Sequence, residues 1–355
     1  MTTKFASDAI FVHSLWRSGS TYVFRAFRRS PAGYWTYQEP VHEAVYYART
    51  DPSSLLVYNE ETSRLRHPLL DKPYYHELVN INKSWCNSIK ETIIYDDYFG
   101  LNSNEPLIHY LAVLISSAKS RPVIQECRTS NRIGILKKAL GGTHIYLWRN
   151  PYDQWWSLKI ADYFNAVLQL IINADNKPRI ISLLRDTIDF KGVAGGDIRT
   201  NIDYFENHPL TPEDSYLVFY IIWFLGLSEG LLCADMLINI DLLTDSEEYR
   251  RDTINHINSI GIYDIDFSDC TIPQGTYFQS DRELYNSVEE LAHDLLISSG
   301  YSEHFIKKIK NLRDECAPTF ASCAVNGSVI RDLKRSREII HRLESMVAYK
   351  TKSHS

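Results

Sequence analysis

The sequence predicts an α/β fold in three layers, a central parallel sheet flanked by helices. Three observations predict it. Short apolar runs of strand length recur along the chain, and stretches with helical spacing separate them. Such alternation builds parallel strands joined by crossover helices. No linker, repeat or low-complexity segment interrupts the 355 residues. The whole chain, 1–355, is therefore expected to form one domain, with a mostly helical insertion at about 45–120 and a helical C-terminal region at about 281–355.

The elements follow in order. Ala9-Ile10-Phe11-Val12-His13 is a buried strand. After a loop of small residues, a helix is expected from about Ser20 to Arg29, capped by Ser20 or Thr21 and ended by Ser30-Pro31. Val23, Phe24 and Phe27 fall on one side of it, the side that packs on a sheet. Residues 33–37 are strand-like, and Pro40 argues against a helix running through Glu39. Residues 122–127 and 144–148 read as strands, with a helix from Ile133 to Ala139 closed by Gly141-Gly142 between them. Helices are expected at 151–170, 178–187 and 212–232, a strand at 237–240 and a helix at 246–260. The tail after Ser280 reads as helical, with an amphipathic stretch at Ile330, Leu333, Ile340, Leu343 and Val347.

Composition removes several classes. Apolar residues make up 44% and charged residues 23%, which is globular usage and excludes disorder and collagen. The net charge of −6 argues against a dedicated nucleic-acid binder. Cysteines 86, 127, 233, 270, 316 and 323 form no CxxC pair, so they read as reduced thiols. Met1 to Ala9 has no apolar core of a leader, and the apolar run Tyr216 to Leu227 is short for a bilayer span. A cytoplasmic protein with no membrane span is the expectation.

Two places carry chemistry. Arg17-Ser18-Gly19-Ser20-Thr21 lies between a strand and a helix. Small residues there let backbone N–H groups approach an anion, and the helix N-terminus adds positive potential. With Gly19 set on the second glycine of a Walker A loop, Ser14 takes the first glycine's place, Ser20 the lysine's, and Thr21 the hydroxyl position. The loop suits a phosphate but lacks the lysine of ATP or GTP hydrolysis; taken alone it is equally a strand-to-helix turn. The second place is Arg149-Asn150-Pro151-Tyr152-Asp153-Gln154-Trp155-Trp156-Ser157. Asn150 suits an N-cap, Pro151 the first helical position, and Ser157 shares a face with Asp153 and Gln154. Arg149 therefore stands at a strand end beside a helix N-terminus, where α/β sheets bind ligands. Taken alone, this reads first as a well-capped helix whose arginine pairs with a surface carboxylate. Together the two places imply a ligand with two separate phosphates.

On these residues the chain resembles the sulfotransferases that use 3′-phosphoadenosine 5′-phosphosulfate (PAPS). Arg17 to Thr21 matches that family's 5′-phosphosulfate loop, [KR]-S-G-[ST]-T. Arg149 to Ser157 matches its 3′-phosphate pattern, R-[ND]-P-x-D-x-x-x-S. Ile238 to Leu243 is similar to a late strand of the family, and the likeness covers roughly residues 9–265. It implies a P-loop-like topology and PAPS as co-substrate, with PAP as product and no metal required. The implied roles are Arg17 on the leaving phosphate and sulfuryl oxygens, Ser18, Gly19, Ser20 and Thr21 around the 5′-phosphate, Tyr22 against adenine, and Arg149 with Ser157 on the 3′-phosphate. The acceptor hydroxyl needs a base. Glu39 and His42 are the candidates, and their E-P-x-x-H spacing resembles the carbohydrate and bacterial branch more than the cytosolic aryl or steroid branch. The acceptor implied is a carbohydrate or glycosylated metabolite. The adenine loop near the C-terminus is not recognisable; Val325-Asn326-Gly327-Ser328 with Arg331 is the nearest substitute. A P-loop kinase or nucleotidase and a non-catalytic PAP-binding module are the alternatives.

Overall fold

The computed structural model describes residues 8–56, 70–318 and 320–321. Cys323, the 325–331 segment and the amphipathic stretch at 330–347 lie outside the described residues.

Five parallel strands form the central sheet: β1 (Ile10–Ser14), β2 (Trp35–Gln38), β3 (Pro122–Glu126), β4 (Thr143–Trp148) and β5 (Met236–Asn239), in the order β2-β3-β1-β4-β5. β1 is central, with Phe11 paired to Ile124 on one side and His144 on the other. All five residues of β1 are buried, as a parallel strand covered on both faces requires. Its side chains alternate between two cores. Phe11 enters one with Ile124 of β3 and Tyr146 and Trp148 of β4; Ile10 and Val12 enter the other with Val123, Ile145 and Leu147.

One face carries α1 (Ser20–Arg28), whose Tyr22, Val23, Ala26 and Phe27 fill the second core with Ile257 of a later helix, Glu247–Ser259. The other face carries α2 (Glu43–Tyr47), α3 (His76–Val79), α4 (Ser84–Ser88), α5 (Glu105–Ser117), α6 (Ile133–Leu140), α7 (Pro151–Leu158), α8 (Asp162–Asn173), α9 (Arg179–Thr187), α10 (Ile198–Glu206) and α11 (Pro212–Cys233). After β5 come α12 (Ile240–Asp245), α13 (Glu247–Ser259), α14 (Gln279–Ser299) and α15 (Glu303–Glu315). A two-stranded piece, β6 (Tyr277–Phe278) and β7 (Phe320–Ala321), lies beside α14.

Several expectations change in detail. The helix expected at 151–170 is two helices, because Ala161 takes an extended conformation between α7 and α8. The α10 helix was not anticipated. Among its described residues the 45–120 segment holds short helical turns and one longer helix, α5. α11 has 22 residues and is long and apolar enough to cross a membrane, which exceeds the expected run; most of it is buried inside the fold. Neither Ser20 nor Thr21 caps α1: Gly19 is the N-cap, at φ 81° and with no side-chain bond.

Because the sheet is parallel, the loops after all five strands emerge at one edge. The loop after β1 leads to α1 on one face. Those after its neighbours β3 and β4 lead to α6 and α7 on the other. Neighbouring loops that part in this way leave a crevice at the strand ends, the ordinary ligand position of such sheets.

Candidate functional site

The loop after β1 is built around Gly19. A Cβ there would lie 2.7 Å from Ile240 Cγ1, and its φ of 81° is one that other residues adopt only under strain. The glycine lets α1 begin close against the segment after β5. The Tyr22 and Val23 N–H groups donate to the Gly19 carbonyl at 3.0 and 3.2 Å, and the first turn of α1 holds no acidic residue. Ser18 is buried and donates to the Leu15 carbonyl at 2.8 Å, which sets the loop's curvature.

Five described residues other than glycine have positive φ. Three of them are Asn104, Asp189 and Asp264, types that tolerate the left-handed region. The other two are Arg17, at 66°, and Glu39, at 38°. Strain of this kind concentrates at functional sites, and here it marks two residues singled out by their chemistry.

Arg17 Nε donates to Ser157 Oγ of α7 at 2.9 Å, and its guanidinium lies over the Phe164 ring. Arg149 Nη1 faces the Arg17 carbonyl at 3.4 Å. The structure therefore brings Arg17, Ser157 and Arg149 together, with Gly19 and the start of α1 beside them. The cap expected for α7 is present: Asn150 accepts from the Asp153 N–H at 3.0 Å and donates to its carboxylate at 2.9 Å.

Arg149 is not open to solvent. Its Nε donates to Asp241 at 3.2 Å and its Nη2 to the Pro273 carbonyl. Burial pushes the Asp241 carboxyl up to about 6 against the pull of Arg149. Asp241 also accepts the Asn150 N–H at 2.7 Å. Residues 273–277 form a strap across this corner, with the Gly275 N–H and the Tyr277 hydroxyl both on Asp153. Tyr22, expected against adenine, packs in the second core and donates to Asp269 at 2.8 Å. Ser20 and Thr21 are buried at the start of α1.

The second half of the site follows β2 and β3. Glu39 is buried and accepts from Tyr74 Oη at 2.8 Å and from Arg128 Nη1 at 3.1 Å. His42 caps α2: its Nδ1 accepts from the Ala44 N–H at 3.0 Å, and its ring stacks on Tyr163. Burial holds His42 below the usual imidazole value. Glu43 meets Arg128 Nη2 at 2.9 Å and the hydroxyls of Tyr95 and Tyr163. Burial works to raise the Glu43 carboxyl, but His42, Arg128 and Tyr163 outweigh it and hold it at about 2.

Arg128, Glu43 and Glu126 were not anticipated. An arginine two residues past a strand carries no motif, and nothing local tells that it will be buried among carboxylates. Three buried polar atoms at this edge have no protein partner: Trp16 Nε1, Gln38 Oε1 and Gln154 Oε1. Native interiors leave few such atoms unpaired, so each asks for a ligand or water. No family model, no curated protein and no solved structure matches this chain.

Proposed function

We propose that the chain is a PAPS-dependent sulfotransferase acting on a hydroxyl, in a carbohydrate or glycosylated metabolite. One observation carries the reading. Two segments matched to the family separately in sequence, Arg17–Thr21 and Arg149–Ser157, meet through the Arg17–Ser157 bond at 2.9 Å across 140 residues. A P-loop-like arrangement is supported by the position of the first loop, which leaves the central strand β1 and enters α1 directly.

In the proposed reaction the acceptor oxygen attacks sulfur in line with the leaving group. An O–S bond forms as the bond from sulfur to the 5′-phosphate oxygen breaks, and the electron pair leaves on PAP. Positioning and charge neutralisation supply most of the rate, as in phosphoryl transfer. Arg17 faces the charge that develops on the phosphate and sulfuryl oxygens. Ser157 and Arg149 take the 3′-phosphate, with the strap at 273–277 moved off Arg149. The acceptor's proton passes to the Glu39 carboxylate. His42 is the weaker candidate because the lone pair of its Nδ1 is used by the Ala44 N–H. The neutral ring then carries its proton on Nε2 and has no lone pair left to receive another.

Thermal shift with PAP, ADP and ATP, each with and without magnesium, tests this reading before any acceptor is known. A ligand of the native state raises the melting temperature by mass action. Stabilisation by PAP without magnesium is the expected result. Equal stabilisation by ADP and PAP means that only the loop after β1 takes phosphate and that Arg149 is a strut. Stabilisation by ATP with magnesium and none by PAP replaces the reading with a kinase or nucleotidase.

A further inference from the structure

We propose that Arg128 is the positioning residue for Glu39, a role that rests on Glu39 being the base of the reaction above. Arg128 follows β3 and its side chain is fully buried, so it acts through its neighbours and not on a substrate. Its guanidinium serves two carboxylates as a fork: Nη1 to Glu39 at 3.1 Å and Nη2 to Glu43 at 2.9 Å. Nη2 also reaches the Tyr163 hydroxyl at 3.0 Å, and Nε the Tyr95 hydroxyl at 3.3 Å. The Trp16 ring lies 5.4 Å from the guanidinium carbon.

The backbone beneath the fork is held too. Glu126 accepts the N–H groups of Cys127 at 2.9 Å, Arg128 at 3.0 Å and Val41 at 2.7 Å. That one carboxylate ties the segment after β3 to the segment after β2, so Arg128 and Glu39 are fixed relative to each other before their side chains meet. The second oxygen of Glu39 is set by Tyr74. The Tyr74 hydroxyl accepts from Gln38 Nε2 at 2.7 Å, which leaves its own proton for Glu39. A planar fork of this kind fixes both the orientation and the charge of a carboxylate; a lysine ammonium supplies the charge alone.

The test uses R128K, E39Q and their double variant. Carbon-13 NMR of the glutamate carboxyls in the ligand-free protein reads Glu39 without turnover, and E39Q identifies its signal. In R128K the Glu39 signal is expected to titrate about one unit higher, because the ammonium keeps the charge but not the guanidinium's fixed hydrogen bond to the Glu39 carboxylate. An unmoved titration overturns the proposal, whatever the enzyme does. If R128K does not fold, E43Q carries the same measurement with the opposite sign: Arg128, relieved of Glu43, draws the Glu39 titration down, and no movement again overturns it.

Consumption of labelled PAPS with water as acceptor gives the second readout. R128K is expected to lower kcat about tenfold or more while PAP affinity stays within about twofold, and the double variant is expected to be no slower than E39Q alone. Additive losses, or a fall in PAP affinity that matches the fall in kcat, make Arg128 a scaffold residue and overturn the proposal. If the native protein neither binds PAP nor consumes PAPS while the Glu39 titration still moves in R128K, the sulfotransferase reading falls and the coupling of Arg128 to Glu39 stands.

Discussion

Arg17 Nε and Ser157 Oγ lie 2.9 Å apart, and that bond joins the loop after β1 to the last turn of α7. In the proposed reading Ser157 Oγ also meets the ligand's second phosphate. Ser157→Ala is therefore predicted to weaken PAP binding roughly tenfold or more, since a hydrogen bond to a charged group is worth about 1.5–3 kcal/mol. Calorimetric titration with PAP measures it. An affinity equal to the native value removes Ser157 from the ligand site and leaves it as a holder of Arg17.

Gly19→Ala tests the loop itself. The added Cβ meets Ile240 Cγ1 at 2.7 Å, in a conformation with φ of 81°. Each effect alone costs about 1 kcal/mol or more, so urea unfolding is expected to show a loss of about 2 kcal/mol or more. PAP stabilisation is expected to fall with it, because α1 could no longer start where the proposed reading puts its N–H groups against the anion. A variant as stable as the native protein shows that the loop has room that the packing against Ile240 denies.

The two halves of the site differ in how far the sequence exposes them. All five parallel strands are legible within about two residues, because each is a short apolar run bounded by polar or small residues. Arg17, Gly19, Arg149 and Ser157 are legible because each lies in a local pattern at a strand end. The Arg128 cluster is not. Its members come from the ends of β2 and β3, from α2, and from Tyr74, Tyr95 and Tyr163. What makes them a site is the strand order, which puts β3 between β2 and β1. No local spacing encodes that. The cover over Arg149 escapes notice for the same reason, because Pro273 is 124 residues away.

That cover leads to a further prediction. In the proposed reading a phosphate meets Arg149 only when the Pro273 carbonyl has left it, so the strap and the ligand would compete. Tyr277 anchors the strap through its hydroxyl on Asp153 at 2.7 Å. Tyr277→Phe removes that anchor, raises the fraction of molecules with the strap open, and is expected to tighten PAP binding several-fold. Faster PAP association in stopped-flow mixing should accompany it. Weaker binding instead would mean that Tyr277 belongs to the ligand's own site, with the strap folding onto PAP rather than away from it.

A last prediction comes from a buried pair outside the site. His13 Nε2 and His144 Nδ1 are 2.9 Å apart within the sheet, and the two ring planes are within 7° of parallel. The Gly141 carbonyl can only accept, so His144 Nε2 carries its proton at that 3.0 Å contact. His144 Nδ1 then accepts from His13, and His13 Nδ1 accepts from the Thr129 hydroxyl at 2.7 Å. With both rings neutral, all four ring nitrogens in this chain are satisfied. Burial lowers both: His144 to about 4, and His13 well below the usual value. The unfolded chain therefore binds more protons than the native one between about pH 6.5 and 4, so stability rises with pH across that window. The contribution is complete above about 6.5 and is lost as pH falls toward 4; for His144 alone it is roughly 3 kcal/mol. Melting curves from pH 7.5 to 4 should show that acid limb. His144→Asn, whose Oδ1 can accept from His13 in place of Nδ1, should flatten it. An acid limb of the same slope in both proteins would assign the loss to carboxylates and not to the histidine pair.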